Sequence, residues 1–402
     1  MSSLAIRITA LLSAALILNQ IGLMAFPAVL PTLLAEWRIS EAQAGWIGGI
    51  YFAGYALAVP LLSGLTDRMD ARRIYAVAAL IGAAASFGFA FLAEGFWTAL
   101  ILRFLSGVGL AGCHMPGLKL LADRTHGAEQ ARSSAVYTSI YAVGSGGSFV
   151  VAGLIAGRLG WEAAFIAGGI GPLLSLPLLL LLDAPVKPAE GAAKPHLLDP
   201  RPVLRNRDAL AYILCYAGNT WEVFAARTWF VAFVAFSQSL PGNGGWGWNP
   251  AVLSGLAALI SVPATVMIAE AAVRLGRPPV ILATTCASVL VCLLIGLFAE
   301  AAFPLTLFLL TLHATTSFGD TGSITGGVVA AADPRFRGVT LAVYAFSGFT
   351  TGFLGPLAVG LVLQAAGGVG DPTAWALAFA VMGLGSAVGA AVMLARMRHK
   401  IN

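Results

Sequence analysis

The chain has 402 residues, of which 58% are hydrophobic and 10% are charged, and its mean hydropathy is +0.86. Because soluble domains carry about 25% charged residues, this composition excludes an ordinary soluble protein and indicates a polytopic membrane protein. The net charge of +5 does not indicate a nucleic-acid partner, since most of the basic residues fall in short loops between apolar segments.

Twelve apolar windows predict twelve transmembrane helices, because about 20 residues at about 1.5 Å per residue cross a bilayer core of about 30 Å. Strands of a membrane barrel would instead show polar alternation. The first window is too long for the apolar core of a signal peptide, so we expect an uncleaved span. In chain order the windows lie at 8–34, 44–63, 74–93, 97–122, 133–157, 162–182, 209–236, 251–271, 279–299, 302–330, 339–364 and 373–395.

The distribution of Lys and Arg predicts the orientation of these spans. If both termini are cytoplasmic, nineteen basic residues fall in the inside segments and only Arg38 and Arg158 fall outside. Cytoplasmic loops carry such an excess of basic residues. The sequence therefore predicts an integral protein of the plasma (cytoplasmic) membrane with both termini in the cytoplasm.

We predict that residues 184–208 form a linker between two halves. This segment holds five prolines and five basic residues and is the longest hydrophilic stretch. The halves, residues 1–183 and 209–402, repeat weakly at an offset near 206: Arg132 followed by Tyr137 is matched by Arg337 followed by Tyr344. This repeat predicts two similar six-helix bundles.

The twelve-span plan, the linker and two motifs resemble the major facilitator superfamily (MFS) of secondary transporters. The loop after the second span is similar to the family signature of Gly-x-x-x-Asp-Arg-x-Gly with a basic tail, although Ser63 and Asp70 replace its two glycines. Arg103 with Gly107 and Gly109 in the fourth span is similar to a second family motif. The fifth span lacks the Gly-Pro pair that is typical of drug/proton antiporters.

This resemblance implies an all-α integral membrane fold with two pseudo-symmetric six-helix bundles. It also implies that spans 1, 4, 7 and 10 line a central cavity, that the span-4 arginine serves proton coupling, and that the loop after span 2 takes part in gating. The residues of this loop that match the motif are Asp67, Arg68, Arg72 and Arg73.

Ionisable side chains deep in the spans fall on every third helix. Because such groups are costly in lipid, they are candidates for function, with contacts between helices as the alternative. They are Arg103 and His114 in span 4, Glu222 and Arg227 in span 7, and His313 and Asp320 in span 10, and span 1 adds Asn19.

Each of these residues has a predicted role. Arginine grips carboxylates with paired donors, so Arg227 and Arg103 are candidates for binding an anionic substrate. A buried carboxylate can load and release a proton, so Asp320 and Glu222 are candidates for proton coupling, with permanent ion pairs as the alternative. The remaining candidates for substrate binding are His114, Asn19, Trp221 and His313, and packing is the alternative for Trp221.

Metal and cofactor sites are not expected. His114 has no further ligands at zinc spacing, and the four cysteines, Cys113, Cys215, Cys286 and Cys292, lie in apolar segments, where we expect buried free thiols.

We therefore predict a secondary active transporter that moves a small, anionic organic solute by alternating access with proton coupling. The alternatives are a proton-driven exporter of amphipathic drugs or metabolites and, in another class, a membrane sensor without transport. No P-loop, HExxH or nucleophile-elbow motif indicates an enzyme. The expected partners are the solute, protons and the lipid bilayer, without nucleic acid, and we expect a monomer.

Overall fold

The computed structural model describes residues 2–66, 68–182 and 200–399, and within these ranges the regular structure is entirely helical. The helices of the first half are α1 Ser3–Gln20, α2 Ala25–Trp37, α3 Glu41–Leu65, α4 Ala71–Leu92, α5 Phe96–Ala122, α6 Gly127–Leu159 and α7 Trp161–Leu180. Those of the second half are α8 Arg201–Arg205, α9 Arg207–Ser239, α10 Pro250–Leu275, α11 Arg277–Leu297, α12 Phe303–Gly319, α13 Thr321–Ala331, α14 Arg337–Ala365 and α15 Pro372–His399.

These helices account for the twelve predicted spans. The first span consists of α1 and α2, and the tenth consists of α12 and α13, which are separated at Asp320. Among the described residues, ten helical segments are long and apolar enough to cross a membrane by length and composition alone. The other two spans are α9, which carries several polar side chains, and the divided pair α12 and α13, whose 17 and 11 residues are each too short.

The boundaries of the helices follow from local chemistry. Ser40 and Gln43 form a capping box that begins α3, and the Asn206 side chain accepts from the backbone of Ala209 at the start of α9. Between α6 and α7 the chain turns at Gly160, whose φ of 89° is accessible to glycine at little cost.

Within each half, helices approach closely where glycine removes a side chain. A Cβ on Gly107 of α5 would lie 1.9 Å from the carbonyl oxygen of Tyr51 on α3. In the second half, a Cβ on Gly218 of α9 would lie 2.1 Å from the carbonyl oxygen of Gly385 on α15. These contacts show that small residues allow the backbones of membrane helices to pack directly together.

The two halves are hydrogen-bonded to each other at one end of the molecule, which we call the distal end and define by the loops at residues 38–40, 240–249 and 366–371. There the Glu41 carboxylate accepts from the backbone N–H of Val369 at 3.2 Å, and Asn249 donates to the Gly153 carbonyl at 2.9 Å. These hydrogen bonds join the halves directly at the distal end.

The contact between α3 and α14 continues from the distal end toward the middle of the molecule. A Cβ on Gly45 would lie 2.6 Å from the Pro356 carbonyl oxygen, and the rings of Tyr55 and Phe349 lie 4.1 Å apart. These two helices therefore form a continuous seam between the halves.

The structure describes part of the predicted linker and gating loop and all four cysteines. Residues 184–199 of the expected linker and Asp67 of the gating loop lie outside the described residues, whereas Arg72 pairs with Asp70 at 3.2 Å. Arg68 and Arg73 are exposed. The expectation that all four thiols are buried was wrong for Cys286, which is exposed on α11 because it lies on the outer side of that helix.

We expect Gly107→Ala to lower the thermal stability of the detergent-solubilised protein. The new methyl group would force α3 and α5 apart, and overpacking of this kind costs about 1–3 kcal/mol, more than the helix propensity gained. Gly147→Ala is the matched control, because a Cβ on this helical glycine meets no atom within 4 Å. Equal melting temperatures for the two variants would contradict the close approach.

Candidate functional site

The long helix α9 divides the polar groups of the second half between two faces. Glu222 and Arg227 are five residues apart, which separates them by about 140° around the helix. Glu222 faces α11 and α12, where it contacts Ser288 and His313, whereas Arg227 contacts Phe318. The two charged side chains therefore serve different neighbours.

Arg227 is a buried cation whose neighbours are rings rather than acids. Its side chain is 7% exposed, and its guanidinium carbon lies 4.1 Å from the centroid of the Phe318 ring and 5.7 Å from that of Phe224. Among the described residues no carboxylate pairs with it, and its Nε has no hydrogen-bond partner. Such a group retains the capacity to bind an anion.

A small cavity adjoins Arg227 between helices α6, α9, α10 and α12. Its wall includes the rings of Phe149, Phe230 and Phe318 together with His313. The free volume is about 20 Å³, which is room for about one water molecule. A larger solute therefore enters only when the surrounding helices move apart.

Tyrosines from both halves lie near the guanidinium of Arg227. Tyr141 of α6 and Tyr216 of α9 lie within electrostatic range of its guanidinium. Tyr216 also stacks on Tyr344 of α14, with ring centroids 3.9 Å apart. Arg227 thus lies where the two halves meet, which is the position that a substrate site needs in a protein whose halves move relative to one another.

Glu222 lies at the centre of a buried polar cluster. His313 Nε2 is 2.7 Å from Glu222 Oε1, the Ser288 hydroxyl donates to the same oxygen, and Cys292 Sγ lies 3.6 Å from it. Glu222, His313 and Cys292 all have an exposed fraction of 0%. The ring of His313 also meets the edge of Phe230, with centroids 5.2 Å apart.

Asp320 has a different environment from Glu222. It lies between α12 and α13 and is 1% exposed. The Asn219 side chain donates to its Oδ1 at 2.9 Å and the Thr285 hydroxyl donates to its Oδ2 at 3.1 Å. No basic side chain pairs with it in the part of the chain that the structure describes, so its partners are neutral donors.

Arg103, the second arginine predicted to bind an anion, contacts the turn between α1 and α2. Its guanidinium lies 3.4 Å from the carbonyl oxygen of Leu23 and stands 4.4 Å over the ring of Tyr51. Arg103 is not part of the cavity at Arg227. The structure therefore does not bring the two arginines to one site, and Arg103 joins the divided first span to α3.

The remaining predicted substrate residues lie in separate places. His114 Nδ1 is 2.7 Å from the Tyr55 hydroxyl, Asn19 donates to the Tyr75 hydroxyl at 2.9 Å, and Trp221 donates to the Val381 carbonyl at 3.0 Å. Asn19 and Trp221 make contacts that pack helices together. His114 is half-buried beside tyrosines at the seam of α3 and α14.

The sequence reasoning missed the polar stripe of α11. Thr285, Ser288 and Cys292 are spaced by three and four residues, so they share one face of this helix, and that face meets Asp320 and Glu222. This helical spacing inside an otherwise apolar segment is the signal that identifies the stripe.

Comparison with known proteins places the chain in a family. The sequence profile of the Major Facilitator Superfamily matches residues 12–270, which is more than half of the chain, and the chain belongs to this family. This membership confirms the predicted family and the twelve-span helical fold, and it agrees with the prediction that the protein is not an enzyme.

Two relatives and one solved structure illustrate the similarity. The chain is 30% identical over 149 residues to a niacin transporter of Acinetobacter baylyi, covering 37% of this chain and 33% of the relative. It is 25% identical over 183 residues to a benzoate transport protein of the same organism, covering 44% and 39%. The matches therefore span between a third and two fifths of these relatives.

The fold is similar to that of a bacterial homologue of the human lysosomal transporter spinster, solved in an inward-facing and occupied conformation. The TM-score is 0.80 at 17% sequence identity, and the alignment covers 99% of this chain and 98% of that one. At this level of identity the likeness shows the fold alone.

We expect His313→Ala to destabilise the protein strongly, because it leaves the buried Glu222 carboxylate without its basic partner. Breaking a buried pair in this way costs about 3–5 kcal/mol. The melting temperature of the purified protein measures the effect, with His114→Ala as the control at a half-buried histidine. The double variant Glu222→Gln with His313→Ala is expected to recover part of the loss, and additive losses would contradict the pairing.

Proposed function

We propose that this protein is a secondary active transporter that carries a small aromatic carboxylate by alternating access together with a proton. The observation that carries the proposal is Arg227, a buried cation without a carboxylate partner among the described residues, beside a ring-lined cavity between the two halves. A charge inside a membrane protein is costly unless a partner or water compensates it. A substrate anion supplies that partner.

Arginine favours a carboxylate as the charged group of the substrate. Its planar fork matches a carboxylate with two parallel hydrogen bonds, and hydrogen bonds to charged groups contribute about 1.5–3 kcal/mol each. The tyrosines Tyr141 and Tyr216 provide hydroxyl groups in the same region. These groups together favour an anion over a cation.

The walls of the cavity favour a flat ring as the body of the substrate. Phe149, Phe230 and Phe318 present aromatic surfaces next to Arg227, and aromatic rings pack well on one another in offset or edge-to-face geometry. The names of two relatives point the same way, since niacin and benzoate are one-ring aromatic carboxylates. We infer a substrate of this size and charge.

Asp320 is the carboxylate best suited to carry the proton. Its partners, Asn219 and Thr285, are neutral donors, so the carboxylate charge is not balanced by a basic side chain of the described chain. Glu222, the other sequence candidate, already lies 2.7 Å from His313. A proton on Asp320 removes the cost of an uncompensated buried charge while the substrate anion balances Arg227.

Alternating access in this proposal uses the contacts between the halves, residues 1–183 and 209–402, with 184–208 as their linker. The hydrogen bonds of Glu41 and Asn249 join the halves at the distal end and must break when that end opens. The excess of basic residues at the other end favours a cytoplasmic location for both termini. We propose a monomer in the cytoplasmic membrane.

We expect Arg227→Lys to raise the KM for a one-ring aromatic carboxylate in proteoliposomes, because lysine keeps the charge but loses the paired donors. The loss of one charge-assisted hydrogen bond, about 1.5–3 kcal/mol, corresponds to about 10- to 150-fold. Arg227→Ala is expected to abolish uptake. Arg335→Lys is the control at an exposed arginine that does not line the cavity.

The same experiment uses nicotinate, benzoate, an aliphatic carboxylate, a phosphate ester and a cationic dye. Uptake of the cationic dye that does not depend on Arg227 would contradict the anion proposal and favour an amphipathic exporter. Preference for the aliphatic acid would leave the anion site intact but reject the aromatic class.

We expect Asp320→Asn to remove the dependence of uptake on the pH gradient while substrate exchange between loaded vesicles continues. The amide keeps the shape of the side chain but cannot carry a proton. An inward proton gradient imposed on proteoliposomes is expected to accelerate uptake by the wild type and by Asp333→Asn, which alters a surface carboxylate. Uptake by Asp320→Asn that still follows the gradient would reject Asp320 as the proton carrier.

A further inference from the structure

We propose that Glu222, Cys292 and His313 form a buried binding site for a divalent transition-metal ion of the Zn²⁺ class. The three side chains come from α9, α11 and α12, and one ligand atom of each lies within 4.8 Å of the other two. Carboxylate, thiolate and imidazole are the ligand types that zinc and cobalt bind in proteins. The argument for this site does not rest on the transport function proposed above, although His313 also lines the cavity beside Arg227.

The distances between the ligand atoms fit a metal ion after a small adjustment. Tetrahedral coordination with bonds of about 2.0–2.3 Å places the ligand atoms about 3.3–3.6 Å apart. Cys292 Sγ is already 3.6 Å from Glu222 Oε1, and His313 Nε2 is 2.7 Å from it. The His313 ring must therefore move about half an ångström away from Glu222 Oε1, and the separation of Cys292 and His313, which is within 4.8 Å, must approach the same spacing.

The charges of the three ligands suit a buried divalent ion. When the metal binds, the Cys292 thiol releases its proton to solvent, so one thiolate and one carboxylate balance the two positive charges, while the imidazole stays neutral. A site without net charge avoids the cost of burying an uncompensated ion. This balance distinguishes the cluster from Asp320, whose partners, Asn219 and Thr285, are neutral.

The cluster also has an unused polar atom and room for a fourth ligand. His313 is 0% exposed and its Nδ1 has no hydrogen-bond partner. His313 also lines the cavity beside Arg227, which has room for about one water molecule. A water in that cavity, or the Ser288 hydroxyl that donates to Glu222, completes four-coordination.

A substitution of Cys292 distinguishes a metal site from a hydrogen-bonded pair of Glu222 and His313. A Glu–His pair needs no thiol, whereas a metal at this position is bonded to sulfur. The chain provides a matched control on the same helix, since Cys286 is exposed and six residues from Cys292. Serine at either position keeps the size of the side chain but does not form the metal–sulfur bond.

The test is a titration of the full-length protein, purified in detergent without a polyhistidine tag, with Co²⁺. We expect one equivalent of Co²⁺ to produce a sulfur-to-cobalt charge-transfer band in the near ultraviolet, together with the intense visible bands of tetrahedral cobalt. Zn²⁺ is expected to displace the cobalt and remove the bands. Cys286→Ser is expected to behave as the wild type, and Cys292→Ser to lose the charge-transfer band and bind at least about tenfold more weakly.

A second measurement on the wild type alone protects the test against a variant that fails to fold. Zinc-edge X-ray absorption of the Zn²⁺-loaded protein is expected to show one sulfur ligand and one imidazole ligand. A spectrum with oxygen ligands only, or a cobalt band that persists in Cys292→Ser, would overturn the proposal. Because both measurements report binding in detergent, their outcome does not depend on whether aromatic carboxylates are transported.

Discussion

The cost of burying a charge is the constraint on which the central region of this protein depends. Arg227 lies among aromatic rings and away from the carboxylates of its own helix. The free-energy cost of its buried charge is reduced when an anion or water lies beside the guanidinium. Glu222 meets the same constraint differently, because His313, Ser288 and Cys292 surround its oxygen. Among the described residues, one helix thus carries an acid with a basic neighbour and a base without an acidic one.

This division places two different sets of polar contacts on two faces of α9. The face with Arg227 borders the cavity between the halves, whereas the face with Glu222 and Asn219 is enclosed by helices of the second half. His313 belongs to both regions, since it pairs with Glu222 and also lines the cavity. His313 therefore links the cavity beside Arg227 to the buried Glu222 by direct contact.

In the proposed transport cycle, the contacts between the two halves must be able to form and to break. Glycines such as Gly45 allow α3 and α14 to meet at the backbone, and aromatic side chains such as Tyr55 and Phe349 pack beside these points. The hydrogen bonds of Glu41 and Asn249 across the distal end are few and lie near helix ends, where water can replace them. Helices within each half also meet at glycines, as Gly107 does against Tyr51.

The sequence by itself determined the twelve spans, because the length and hydropathy of a membrane helix are local properties. It also identified Arg227, Glu222, His313 and Asp320, since a polar side chain in an apolar segment is visible without a structure. Which of these groups meet was decided only by the tertiary structure. The rotation and depth of one helix against another determine that His313 reaches Glu222, that Cys292 joins them, and that Arg103 binds a turn instead of a substrate cavity. Helices that are apolar on nearly all sides carry no periodic signal that fixes this rotation.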